Sequence, residues 1–263
     1  MDTIGEGDLV HMAVVSGSKR RSYYVQARKG LVYHTIAGIV RGDRLVGSAW
    51  GSVIETRLGR IHLLKPTLAE VMEGFYRRAT QVIYPKDLGV IQLLAGLRRG
   101  MRVVEAGTGS GFLTTVLAAA VCPGGRVYTL DLKRENLEEA RRNLELAGIP
   151  EGCVELVEGD VRSHTLPQGL DAGFLDMPDP WAALDNLYNS LNPSAPLVVF
   201  VPTYNQVDKL LSRMDREKWV VTYAGEILER RLEPTPGAVR PEVKMIGFTG
   251  FIILLRRLAA ISQ

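Results

Sequence analysis

Residues 8–64 alternate short runs rich in β-branched and aromatic side chains (9–15, 22–26, 53–56 and 60–64) with turns at Gly17, Gly30, Gly42 and Gly59, the pattern of a small all-β domain. Pro66 interrupts it. The apolar spacing of Leu68, Val71, Met72 and Phe75 then predicts a helical connector. Beyond it, strands predicted at 102–105, 126–131, 154–160, 172–176 and 196–201 alternate with helical segments. The clearest helix is 134–147, where Leu137, Ala140, Leu144 and Ala147 make one apolar stripe ended by Gly148. Such alternation specifies a parallel, doubly wound sheet. Two final β-rich runs, 219–228 and 245–255, have no convincing helix between them and predict an antiparallel pair closing one edge. The organisation expected is therefore a β-rich domain over 1–65 and an α/β domain over 66–263.

With 263 residues, 46% of them hydrophobic and 23% charged, the chain has material for a large core and no signature of disorder. No apolar run approaches the roughly 18 to 20 residues that span a bilayer, and residues 1–7 lack a basic-then-apolar leader, so a cytoplasmic protein without a membrane partner is expected. Cys122 and Cys153 lack the short spacing of a zinc or redox pair, and reduced, structural thiols are expected of them. Charge changes the picture more. The overall +3 divides into +5 up to Lys65, from ten basic against five acidic residues, and −2 beyond it. Lys19, Arg20, Arg21, Arg28 and Lys29 supply half of the N-terminal cations, a cluster suited to phosphates, although a solvated face has the same composition.

Candidate chemistry gathers at the predicted strand ends. Glu105-Ala106-Gly107-Thr108-Gly109-Ser110-Gly111 follows the first α/β strand and opens a helix at about Phe112. Glycines allow a sharp turn and a close backbone approach, and the helix start offers unpaired N–H groups to an anion. The G-x-G-x-G spacing is neither the dinucleotide G-x-G-x-x-G nor a triphosphate loop. Asp131, at the next strand's end, suits the two hydroxyls of a ribose. Further acids at Asp160 and Asp176 and the antiparallel edge pair favour S-adenosylmethionine over NAD, because the whole resembles the seven-stranded, Rossmann-like class I methyltransferase sheet.

Three segments make the resemblance specific: Arg77-Arg78-Ala79-Thr80-Gln81-Val82-Ile83-Tyr84-Pro85-Lys86-Asp87, then Glu105 to Gly111 with Leu113 and Thr114, then Leu175-Asp176-Met177-Pro178-Asp179-Pro180-Trp181. Together they resemble the tRNA adenine-58 N1-methyltransferases of the TrmI type, along essentially the whole chain. The resemblance implies that Glu105, Gly107, Gly109, Ser110, Gly111, Phe112 and Leu113 surround the methionine end of S-adenosylmethionine. Asp131 holds its ribose and Asp160 lies by its adenine. Asp176 stands where cofactor and target base meet, and Tyr84 flanks that pocket as a second catalytic candidate. Asn136 occupies a position that in the family often bears a cofactor-contacting arginine. The implied partners are tRNA, methylated at adenine 58 with 57 as a further position, and identical subunits in a homotetramer.

Elementary chemistry supports Asp176 independently. Methylation of adenine N1 creates a cation, and a nearby carboxylate stabilises it and accepts the exocyclic N–H. Trp181 offers a surface for a base or for the core, and Arg77, Arg78 and Lys86 are candidate phosphate contacts. Two positions depart from the family: Phe248-Thr249-Gly250 stands where His-Thr-Gly is usual, and Arg230-Arg231-Leu232 where Arg-x-Trp is common. His11, His34, His62 and His164 show no metal-ligand or triad spacing. Three other readings share the glycine turn and sheet: a methyltransferase for protein isoaspartate or a corrin precursor, a non-catalytic RNA-binding subunit, and an NAD oxidoreductase. The first does not require a basic N-terminal domain, and loss of Gly109 or Asp131 would have marked the second.

Overall fold

The computed structural model describes residues 2–78 and 80–259; Met1 and Ala79, both within segments read above, lie outside them. The chain divides into two compact units, 1–76 with 235–237, and 77–234 with 238–263.

In the first unit, β1 (Leu9–Ser16) and β2 (Lys19–Gln26) form a hairpin, β3 (Val32–Thr35) and β4 (Gly38–Arg41) a second, and β5 (Val53–Thr56) and β6 (Gly59–Leu64) a third. β2, β1, β6 and β5 pair in that order as an antiparallel sheet. Alternation buries Val10, Met12, Val14, Ile61 and Leu63 against Ile4, Leu45 and Ile54. The β3–β4 hairpin was not anticipated, since its strands are four residues each and their period is hard to separate from a loop. Helix α1 (Leu68–Gly74) starts at a capping box in which Thr67 and Glu70 satisfy each other's backbone N–H groups. It belongs with the β-rich unit. Gly74 has no room for a Cβ against the Tyr24 ring, and Glu70 lies 2.8 Å from His11 on β1. The division between units thus falls after Tyr76 and not at Lys65, where the sequence changes character.

The second unit holds α2 (Pro85–Leu94), β7 (Arg102–Ala106), α3 (Phe112–Val121), β8 (Arg126–Asp131), α4 (Arg134–Leu146), β9 (Val154–Glu158), β10 (Ala172–Leu175), α5 (Leu184–Ser190), β11 (Pro196–Val201), α6 (Tyr204–Arg213), β12 (Trp219–Gly225), the two-residue pair β13 (Leu232–Glu233) and β14 (Arg240–Pro241), and β15 (Phe251–Arg257). Its seven-stranded sheet runs β12-β15-β11-β10-β7-β8-β9. β7 to β11 are mutually parallel, and β15 is antiparallel to both β11 and β12. The doubly wound sheet and its antiparallel closing pair are as the pattern predicted. Central strands read as continuous apolar runs because both faces are covered: every residue of β10 and β11 is buried. α4 lays Leu137, Ala140 and Leu144 onto the sheet as its stripe requires.

One expectation is overturned. Cys122 and Cys153 form a disulfide across 31 residues, with Cα atoms 6.2 Å apart. Topology explains it: β8 and β9 are parallel neighbours, so the end of α3 and the turn before β9 meet at the same sheet edge, where Val127 N–H donates to Cys153 C=O. Sequence spacing carries no record of that proximity. Among the described residues, no helix is long and apolar enough to cross a membrane.

Candidate active site

The parallel strands deliver their acids to one edge. Asp131 is the last residue of β8; Glu105 precedes the last residue of β7; Asp160 and Asp176 lie just past β9 and β10 rather than inside them, as strand ends at 160 and 176 had suggested. Between β7 and β10 the pairing ends with Asp176 N–H on Ala106 C=O and Gly107 N–H on Asp176 C=O, and the chains then diverge. Such a split at strand carboxyl ends is where doubly wound sheets hold ligands. A cleft of about 300 Å³ opens there, walled by Gly107, Asp131, Asn136, Asp160, Arg162 and Asp176 among others. A narrow extension of about 20 Å³, lined by Thr80–Ile83, Glu105, Gly107–Ser110, Phe112 and Leu113, continues past Asp176. It has the space of about one water. Gly107 and Asp176 border both chambers.

The glycine turn is shaped by its two positive-φ residues. Gly109 (φ 52°) and Gly111 (φ 79°) adopt the left-handed region that side chains disfavour. A Cβ on Gly109 would come within 2.9 Å of Thr80 Oγ1, and one on Gly111 within 3.0 Å of Ala140 on α4. The turn is held from outside by Asn143, fully buried on α4, whose amide donates to Ser110 C=O and Arg77 C=O and accepts from Arg77 N–H. Thr80 N–H donates to Ser110 Oγ. The Arg78 guanidinium sits 5.7 Å from the centre of the Phe112 ring. The first sequence segment therefore braces the second, and Asn143 joins them.

Asp131 accepts from Gly109 N–H at 2.9 Å, from Lys133 N–H at 2.9 Å, and from the Asn136 amide at 3.1 Å to each oxygen. Asn136 is thus the residue that orients the carboxylate. Asp160 is bound by the Arg162 guanidinium, which also reaches Asp179 at 2.8 Å and so bridges the loops after β9 and β10. Those hydrogen bonds hold the Asp160 carboxyl below its usual range. Arg162 was not singled out from sequence, and its only signal there was adjacency to Asp160.

Glu105 and Asp176 shift the other way from Asp160. Glu105 is fully buried; Oε2 accepts from Thr114 Oγ1 at 2.6 Å while Oε1 has no partner among the described residues. Burial pushes its carboxyl up to about 8, against the Thr114 hydrogen bond that pulls it down, with the charges of Asp176 and Asp131 adding to the rise. Burial likewise raises the Asp176 carboxyl to about 7. An orphaned acid oxygen in a closed chamber fits a cationic group of a ligand.

The family model described as the tRNA methyltransferase complex GCD14 subunit matches residues 59–239. The chain belongs to the GCD14 family. A relative from Methanocaldococcus jannaschii named tRNA (adenine(57)-N(1)/adenine(58)-N(1))-methyltransferase TrmI is 34% identical, over 74% of this chain and 78% of its own. A tRNA (adenine(58)-N(1))-methyltransferase TrmI of Thermus thermophilus is 33% identical, over 91% of this chain and 94% of its own. A solved SAM-dependent O-methyltransferase of Thermotoga maritima superposes with a TM-score of 0.90 at 28% identity, covering 100% of this chain and 97% of that one. The seven-stranded sheet of this GCD14-family chain is accordingly the class I S-adenosylmethionine-dependent methyltransferase sheet.

Two sequence candidates sit differently in this family member from what was expected, and a third takes one of its two readings. Tyr84 is the N-cap of α2, one residue beyond Ile83, and does not line either chamber. Lys86 is no phosphate contact: its ammonium donates to both oxygens of Asp87, to Ile227 C=O and to Thr249 Oγ1, with 7% of the side chain exposed. Trp181 packs on the core with Lys209 and Arg213 across its ring, which favours a packing role over a base contact. By contrast Lys19, Arg20, Arg21, Arg28 and Lys29 are all exposed, and among the described residues none of their side chains enters an ion pair.

Proposed function

We propose that the chain transfers a methyl group from S-adenosylmethionine to N1 of adenine in the T-loop of tRNA, at position 58 with 57 as a second position. The observation that carries this reading is Asp176, a desolvated carboxyl at the junction of the two chambers. Asp131, with Asn136 behind it, takes the ribose; the Asp160–Arg162 pair borders the cofactor's adenine. Glu105 Oε1, Gly107, Gly109, Ser110, Gly111, Phe112 and Leu113 would hold the amino-acid end. When bound, the cofactor supplies an electrophilic methyl group on a sulfonium. Asp176 would accept the adenine N6–H and so orient the base, and its charge would offset the cation that develops on the ring as the methyl carbon passes from sulfur, left as a neutral thioether, to N1. The exposed cations of β2 contact tRNA phosphates, and the chain assembles as a homotetramer. The apolar surface of Leu228, Val239, Val243 and Ile246, each more than half exposed, supports that assembly.

Unmodified tRNA transcripts with adenine 57 or 58 replaced in turn, incubated with labelled S-adenosylmethionine over a salt series, test the reading. Label is expected as N1-methyladenine, lost when adenine 58 is replaced, with tRNA affinity falling steeply with salt and less steeply after charge reversal at Lys19, Arg20 and Arg21. Label in protein, or on a ribose oxygen, rejects the acceptor; light scattering that gives a monomer rejects the tetramer.

Glu105 gives a separate signature. A carboxyl near 8 is mostly protonated at pH 7, and a cationic ammonium arriving at Oε1 favours the ionised form, so binding expels a proton. Calorimetry at pH 7 in buffers of different ionisation heat should show release of close to one proton more for the native chain than for Glu105→Gln. The difference should fade above pH 8. Equal release from both proteins would remove Glu105 from cofactor recognition.

A further inference from the structure

A second concave surface lies at the same edge of the sheet, beyond the acids. Tyr204 opens α6 with 74% of its surface exposed, and Phe248 is 46% exposed. Both rings rest on buried Phe251, at centroid distances of 4.4 Å and 5.0 Å. With Pro202, Asn205 and Glu226 they line a cavity of about 580 Å³. Strand pairing fixes its place. Phe251 pairs with Val201 at the end of β11, and β11 neighbours β10, whose end carries Asp176. Two strand spacings, about 10 Å, separate β15 from β10. Gln206 on α6 donates to Pro178 C=O, tying this helix to the loop that follows Asp176.

The lining selects the ligand. Two open aromatic faces braced by a third match a flat π system, and stacking on such faces is indifferent to which base is stacked. Glu226, the charged side chain among the described lining residues, disfavours a phosphate inside the cavity; with Asn205 it suits the amino and carbonyl groups of a base edge. Cations stand outside instead, at Lys209 and Arg213 farther along α6. We infer that the Tyr204–Phe251–Phe248 platform is a stacking subsite for the nucleobase adjacent in the RNA strand to the one that is methylated. Holding that neighbour off the stack helps keep the target exposed, since unstacking costs a few kcal/mol. This inference rests on the tRNA reading above.

The test uses Tyr204→Ala, Phe248→Ala and Tyr204→Phe with tRNA transcripts carrying 2-aminopurine at each position flanking the target adenine. Loss of one stacked base corresponds to about a 5- to 150-fold weaker interaction. Each alanine variant should therefore raise KM for tRNA by about 10-fold or more, with kcat within about two-fold, the same cofactor affinity and unchanged melting. Tyr204→Phe should behave as the native chain. One flanking probe should be quenched by the native protein and not by the alanine variants. An unchanged KM in both variants, or a loss confined to kcat, overturns the subsite while leaving the function standing. Failure of the native chain to methylate any tRNA overturns both.

Discussion

Asp176→Asn lowers kcat by at least about 10²-fold, the ordinary scale for a positioned acid–base group, while S-adenosylmethionine binds nearly as before. The amide keeps the shape of the carboxyl and its hydrogen-bonding carbonyl oxygen but removes the charge that answers the cation on the methylated base. Native kcat should climb with pH through about 7, where the desolvated carboxyl ionises, and level off above it. In the variant that rise should vanish. Stability moves the other way. The folded-state value, near 7, lies above the unfolded value, near 3.8, so the folded chain holds the proton more tightly between them. Ionisation then opposes folding: the penalty is absent below about pH 4, grows as pH rises through 7 and is full beyond it. The neutral amide carries no such penalty, so the variant should be more stable to denaturant than the native chain at pH 8, by on the order of 1–3 kcal/mol, and about equally stable at pH 4. An enzyme that keeps kcat after the substitution removes Asp176 from the chemistry. Equal stability at pH 8 would mean that water reaches the carboxyl freely.

That trade between stability and chemistry explains which parts of the site were legible in the sequence. Asp131, Asp160 and Asp176 are polar residues at the tips of apolar strands, a local contradiction that marks function, and the sheet order brings them together as that pattern implied. The glycine turn was legible for the same reason, since left-handed backbone at Gly109 and Gly111 leaves few other residues admissible. What was hidden depends on contacts distant in sequence. Asn143 looks like one more polar residue on α4, yet it closes the turn against Arg77, 66 positions away. Arg162 clamps Asp179 across 17 positions, and the Cys122–Cys153 bridge follows from parallel neighbours that spacing rules do not see. The short β3–β4 hairpin was missed because four-residue strands leave too little period to detect. Lys86 was misjudged because a lysine beside a motif is ordinarily solvated, and its burial is visible only once residues 227 and 249 are folded over it.

Removing either member of the Lys86–Asp87 pair should cost about 3–5 kcal/mol, the scale for stranding one charge of a buried ion pair. Asp87 is fully buried, Lys86 nearly so, and Thr249 completes the knot by accepting from the ammonium at 2.6 Å and donating to Asp87 at 2.7 Å. Lys86→Met leaves a carboxylate with a single hydroxyl donor; Asp87→Leu leaves an ammonium facing one carbonyl and one hydroxyl oxygen. The double variant puts apolar groups in both places and should recover much of the loss, because no charge remains to be desolvated. Denaturant melts of the three proteins measure this. Single variants that each lose less than about 1 kcal/mol would show that solvent enters the knot. The same contacts fix Thr249, whose neighbour Phe248 carries the outer ring of the aromatic platform, while Gly250 has no room for a Cβ against Phe200. The Thr-Gly pair that follows Phe248 is therefore a positioning element, and the single variants should raise KM for tRNA even at temperatures well below their melting.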